Sequence, residues 1–316
     1  MKIEDILAME VPKKHLVKLC SDYDLKSKGN STQEYVETIV SNKDALNSGE
    51  KLAEEFRYAG KTAARLYEPM DLNKEFLSDI DKFKDFLIKK YGDNIFRDGI
   101  RVEAEETPKL FRAVLYKGKL YLSYIYLGPE TRVFRNFEIV KETPQYIDYL
   151  VLHFEPLLLE SRVSVSKDSL FKEAFLNSIG IAEDIEWFNM LQMGNKAVEC
   201  LKNELGGELV GAKHKMTEGI YDTVEVKAKP QIDLSEEDEY TNMYSNKPYR
   251  SLTLQFPYKY RSGLEENVSI RITKEGINFY SAVSEEVIQF IIDRILSINE
   301  DTYKQIAASI EEAAKK

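Results

Sequence analysis

The sequence predicts an α+β chain, in which an N-terminal helical module and a helical pair precede a body containing antiparallel sheet. Three observations lead there. Apolar residues recur at helical spacing as far as about residue 95. From about residue 100 the period changes to alternation, with Leu110–Tyr116 and Lys119–Leu127 flanking Lys117-Gly118 as a β-hairpin. Helical and alternating stretches then interleave to the C-terminus. Three regions follow from this: 1–45 as a small helical module, 46–205 as the helical pair with a first α+β unit, and 206–316 as a second α+β unit with C-terminal helices.

In the first region Pro12 opens a helix that carries Leu16, Leu19 and Cys20 on one face. A non-periodic stretch over 22–30 follows. Ser31-Thr-Gln-Glu34 reads as a capping box, in which a serine hydroxyl and a glutamate three residues on satisfy each other's backbone N–H groups. Behind it, Tyr35, Val36, Ile39 and Val40 form a buried stripe. The helical pair is expected over 48–67, with Leu52, Phe56, Ala63, Leu66 and Tyr67 inward, and over 71–91, stopped by Gly92.

Past the hairpin, strands are expected over 149–154 and 161–166, then helices over 168–179 and 183–205. Further strands follow at 223–229, 251–256, 267–272 and 277–281. Ser284 caps a last helix with Glu285 and Glu286 in its first turn, where the helix dipole favours acids. Leu150-Val-Leu-His-Phe and Leu252-Thr-Leu-Gln-Phe share a Leu-x-Leu-x-Phe pattern at an offset of about one hundred residues, as duplicated units do. The predicted core includes Phe76, Ile80, Phe83, Leu115, Leu120, Leu122, Ile291 and Ile295.

The net charge is −10, from 44 Lys+Arg against 54 Asp+Glu. Residues 1–50 sum to −2, residues 51–150 to +1 and residues 151–316 to −9. Such a chain does not coat nucleic acid or anionic membrane by bulk electrostatics. No apolar run reaches the length of a membrane span. Acids at Glu4 and Asp5 do not fit a secretory signal. Cys20 and Cys200 make neither a disulfide framework nor a zinc set. These readings point to an intracellular protein without cofactor or metal. The run Asp233-Leu-Ser-Glu-Glu-Asp-Glu239 is expected as a solvated loop.

Leu16-Val-Lys-Leu19, Tyr23-Asp-Leu-Lys-Ser-Lys-Gly29 and Glu34-Tyr-Val-Glu-Thr-Ile39 together resemble the SAP domain, a helix–extended loop–helix unit. That resemblance implies DNA contact through the loop and a helix N-terminus, on which Lys26, Lys28 and Gly29 fall. Asn30-Ser31-Thr32 departs from the basic residue that commonly follows the loop glycine. The stretch from Val268-Ser-Ile-Arg-Ile272 through Gly276 to Ser281-Ala-Val-Ser-Glu-Glu286 resembles the strand–turn–strand–helix of a TATA-box-binding-protein half. This implies a fold element, without the basic sheet and phenylalanine wedges needed for DNA bending.

Pairing across Lys117-Gly118 sets Phe111, Ala113, Leu115, Leu120, Leu122 and Tyr124 on a core face. Arg112, Tyr116, Lys119, Tyr121 and Ser123 take the other face, with Lys117, Arg132 and Arg135 nearby. Cations interleaved with aromatics suit a surface that contacts phosphate and stacks bases. Glu225-Val-Lys227 has the Glu-x-Lys spacing of a nuclease strand, in which Glu holds a divalent metal and Lys orients water. Asp222, Glu208 and Glu218 are the acids that could complete it. Three readings therefore compete. The chain is a non-enzymatic binding or adaptor protein, associated with DNA in a complex with other subunits; a metal-dependent nuclease; or a protein-interaction module with no nucleic-acid role.

Overall fold

The computed structural model describes residues 2–59, 62–183, 185–218, 220–244 and 247–314, with side chains as far as residue 300. It is α+β, and the strand pairs described below are antiparallel. The chain divides into two compact units, residues 1–62 with 191–316, and residues 63–190.

The first unit opens with α1 (Ile3–Met9), α2 (Lys13–Asp22), α3 (Thr32–Val40) and α4 (Lys43–Arg57). Leu7, Leu16, Ile39, Ala53 and Phe56 share one small core, so α4 belongs to the helical module. The capping box forms as expected: Glu34 N donates to Ser31 Oγ at 3.3 Å, and Ser31 N to Glu34 Oε2 at 2.8 Å. The expected helix over 48–67 is corrected. It begins earlier and ends at Arg57, and Ala63–Pro69 is a strand. Short apolar runs read equally well at either period. Here ladder pairing on both sides of Tyr67 decides for the strand.

The second unit contains β1 (Ala63–Pro69), α5 (Ile80–Tyr91), β2 (Lys109–Tyr116) and β3 (Lys119–Leu127). It continues with β4 (Thr131–Arg135), β5 (Glu138–Glu142), β6 (Gln145–Phe154), β7 (Leu157–Ser161), α6 (Asp168–Ile179) and β8 (Trp187–Asn189). Its strand order is β1-β7-β6-β3-β2, with β8 also pairing β1. Phe83, Leu87, Phe171 and Phe175 from α5 and α6 join Leu120, Leu122, Leu150 and Leu152 in one core. α5 starts at Ile80 instead of Asp71 because Asp79 caps it, accepting from Lys82 N at 2.8 Å. Phe76 and Ile80 are consequently half-buried.

Leu115 pairs with Leu120 and Tyr116 with Lys119, as the turn predicts. The expected faces need correction. A bulge lies between Leu110 and Arg112, which removes Phe111 from its assigned register. Leu115 is 49% exposed, because it lies near the tip of an edge strand. Leu120, Leu122, Phe83, Ile291 and Ile295 are fully buried as expected.

The first unit resumes with α7 (Asn195–Leu205), β9 (Glu208–Lys215), β10 (Thr223–Lys227) and α8 (Asp238–Tyr244). β11 (Tyr249–Lys259), β12 (Glu265–Thr273), β13 (Ile277–Phe279) and α9 (Glu285–Ala314) complete it. The strand order is β10-β9-β11-β12-β13. The expected helix over 183–205 shortens to α7, since Trp187–Asn189 pairs with β1. The acidic run is not a loop. Leu234–Glu236 makes a 3₁₀ turn and α8 follows, while Asp233 accepts from Lys202 Nζ at 2.9 Å. Val287, Ile288, Ile291, Ile292 and Ile295 bury the inner stripe of α9. Among the described residues, no helix is long and apolar enough to cross a membrane.

Candidate functional site

The residues expected to form a nucleic-acid track fall in both compact units. Lys26, Lys28 and Gly29 lie in the loop between α2 and α3, and the two lysines are exposed. The α3 N-terminus they adjoin already holds an anion. The Glu34 carboxylate accepts from both Ser31 N and Ser31 Oγ, at 2.8 and 2.7 Å, and these bonds hold it below the usual carboxylate range. A Cβ on Gly29 would meet that carboxylate at 2.2 Å. The glycine therefore makes room for Glu34, the group that compensates the helix dipole.

Arg112, Tyr116, Lys117, Lys119 and Tyr121 lie on β2, β3 and their turn. Only Lys117 among them is exposed. Tyr121 is fully buried, which corrects its assignment to an open stacking face. The cause is a buried ion cluster on β7 and β6. Glu160 is fully buried, Arg162 Nε donates to its Oε1 at 2.8 Å, and His153 Nε2 lies 3.0 Å from its Oε2. Burial alone raises a carboxyl; here Arg162, with His153 and Lys119, outweighs it and holds Glu160 well below the carboxylate range. The Arg162 guanidinium lies 5.6 Å from the centre of the Tyr121 ring. Of that hairpin face, Lys119 and Tyr121 thus lie against the buried Glu160–Arg162 pair.

Arg132 and Arg135 stand elsewhere, on a feature the sequence reading missed. β3 and β6 run on past Leu127 and Gln145 into β4 and β5, forming a two-stranded arm. Gly128 N donates to Pro144 O at 2.8 Å at the root. A Cβ on Gly128 would lie 2.3 Å from the Tyr146 ring, so glycine allows the close passage. Asn136 and Phe137 turn the arm with φ of 48° and 66°, the left-handed pair of a tight hairpin turn. Phe134 pairs with Ile139 and Arg132 with Lys141, so these four share one face. Phe134 and Ile139 are each 68% exposed, and Phe137 at the tip is 94% exposed. On the opposite face Arg135 pairs with Glu142 at 2.8 Å. The available signal was the alternation on either side of Asn136-Phe137, but phenylalanine stands where a turn glycine would have marked it.

Glu225 and Lys227 project from the edge strand β10 and pair with each other at 3.4 Å, both exposed. Asp222 pairs with Arg250 at 2.9 Å, and Glu208 stands at the start of β9 opposite Gln255. Among the described residues, no group of three His, Cys, Asp or Glu could hold a metal ion. Among the described residues, Glu225 thus belongs to no group of three that could hold a metal ion.

No protein-family model matches this sequence, and no curated protein matches it.

Proposed function

We propose that this chain is a non-enzymatic adaptor that docks another protein subunit through the β4–β5 arm. The supporting observation is the exposure of Phe134, Phe137 and Ile139 beside Arg132 and Lys141 on one ribbon. Large apolar side chains held together in water mark interaction surfaces. Aromatic residues and arginine are also the types enriched where protein interfaces concentrate their energy. The chemistry fits a partner groove with an apolar floor and an acidic rim. The test is capture from native lysate by wild type and by Phe134→Ser/Phe137→Ser. The adaptor reading expects a stoichiometric partner retained by wild type and lost by the variant. Identical profiles from the two proteins contradict it.

A duplex-contacting role for the α2–α3 loop is the second reading, supported by the exposure of Lys26 and Lys28. Contacts of this kind carry affinity with little sequence information. Fluorescence anisotropy at two salt concentrations tests it. If the lysines touch phosphate, Lys26→Glu/Lys28→Glu weakens binding to all duplexes alike, and the salt slope shrinks by about 0.9 per lost contact. No binding by wild type at low salt removes this reading and leaves the adaptor reading standing.

A further inference from the structure

On the sheet of the first unit, Ala212, Leu252 and Ile272 lie side by side and are buried in the core. The residues alternating with them point to the opposite face, and that face holds a cavity of about 320 Å³. The register explains why it is there. Across the sheet, Lys213 stands between Glu225 and Ser251, and Gly211 between Lys227 and Thr253. Arg271 follows beyond Thr253 on β12. Gly211, Ser251 and Thr253 therefore make a floor of short side chains, with the long Lys213, Lys227 and Arg271 standing around it. A Cβ on Gly211 would lie 3.5 Å from both Cβ and Oγ1 of Thr253, an ordinary contact, so a side chain could stand there and its absence leaves the floor open.

The cations are reachable and incompletely matched. Lys213 and Arg271 are half-buried, and the Lys227 side chain is 78% exposed. Glu225 is the one carboxylate among the described lining residues, and it pairs with Lys227 at 3.4 Å. Among the described residues, Lys213 and Arg271 form no ion pair. Arg271 Nη2 donates instead to Ser251 Oγ at 2.8 Å, and Ser251 is buried, so its hydroxyl fixes one edge of the guanidinium. A guanidinium carries five N–H donors, which leaves others for a ligand.

Three cations against Glu225 leave the lining at +2, within a stretch, 151–316, that sums to −9. Cations gathered on one small floor repel each other until an anion sits among them. A carboxylate ligand offers one charge and two oxygens along one edge. A phosphate offers up to two charges and three acceptor oxygens, so a fork and two ammonium groups can each bond it from a different side.

We infer that this cavity binds the dianionic phosphate group of a small phosphomonoester or of inorganic phosphate, held by Arg271, Lys213 and Lys227. The site is independent of the adaptor reading. The test is an NMR titration of the full chain with inorganic phosphate, ribose 5-phosphate and AMP, and with adenosine as the uncharged counterpart. Shifts at the Gly211 N–H and at Arg271 Nε are expected with a phosphate and not with adenosine. Arg271→Gln and Lys213→Gln each remove a charge-assisted bond and should weaken Kd at least about tenfold. Gly211→Val leaves every charge in place but fills the floor, and should abolish binding. Glu225→Gln removes a like charge and should tighten Kd about 2- to 5-fold. Melting curves accompany all four, and if Arg271→Gln does not fold, Lys213→Gln and Glu225→Gln carry the comparison. Equal affinity for the ion and its esters assigns the site to free phosphate, and tighter binding of an ester assigns it to a phosphomonoester; both support the inference. No shift with any phosphate overturns it, as does an equal response to adenosine and AMP, or unchanged affinity in the folded Lys213→Gln and Gly211→Val variants.

Discussion

Two buried side chains, both held unprotonated by the fold, shape how this protein meets acid. Glu160 is held ionised by Arg162 and His153, so its folded-state value lies below its ordinary 4.5. The stability it contributes is present above pH 4.5 and is lost as pH falls below it. His15 has its folded value lowered to about 4 from an ordinary 6.5. Between those limits the unfolded chain takes the proton that the folded chain refuses. Stability therefore declines from pH 6.5 to 4, by at most about 1.4 kcal/mol per pH unit. Urea midpoints at pH 7, 5.5 and 4 check this: His15→Phe should flatten the upper limb and leave the loss below pH 4.5. At neutral pH, Glu160→Ala takes the carboxylate away from the buried Arg162 and should cost roughly 3–5 kcal/mol in the same assay. Neither role was legible in the sequence. Phe56 and Tyr260, which hold His15, are distant from it along the chain, and the Glu160 cluster exists only because β6, β7 and the hairpin lie side by side.

Elements defined by local chemistry were readable, and those defined by distant pairing were not. The Ser31–Glu34 capping box and the Lys117-Gly118 hairpin depend on residues within a few positions of each other, and both formed as expected. The strands Ala63–Pro69 and Trp187–Asn189 owe their state to each other, so helical spacing misassigned both. Gly49 on α4 gives the helical module a sharp test. A Cβ there would meet Ile39 Cγ2 at 2.9 Å and Leu7 Cδ1 at 3.6 Å. Gly49→Val should lower stability by about 1–3 kcal/mol through overpacking, measured by chemical denaturation. The arm should behave oppositely. Phe134 and Phe137 make few contacts with the folded chain, so Phe134→Ser/Phe137→Ser should stay within about 0.5 kcal/mol of wild type. A larger loss would mean that these residues serve the fold.

For the whole molecule, the chain leaves the first unit near residue 62 and returns near residue 190. The intervening segment is continuous and has its own core around Phe83, Phe171 and Leu150. Residues 63–190 expressed alone should therefore melt cooperatively, as a calorimetric scan would show; a non-cooperative profile would mean that this core is insufficient. Composition could not reveal such an insertion, because the segments flanking it join through packing. The acidity concentrated in residues 151–316 likewise said which partners bulk charge disfavours, but gave no sign of the arm. Docking through that arm is read out by a photo-crosslinking amino acid placed at position 134 or 137 in living cells. Ile220, 90% exposed in the other unit, provides the control position. One predominant protein adduct is expected from the arm positions, absent at 220 and abolished by Arg132→Glu/Lys141→Glu. No adduct at 134 or 137, or the same adduct pattern at all three positions, would contradict it.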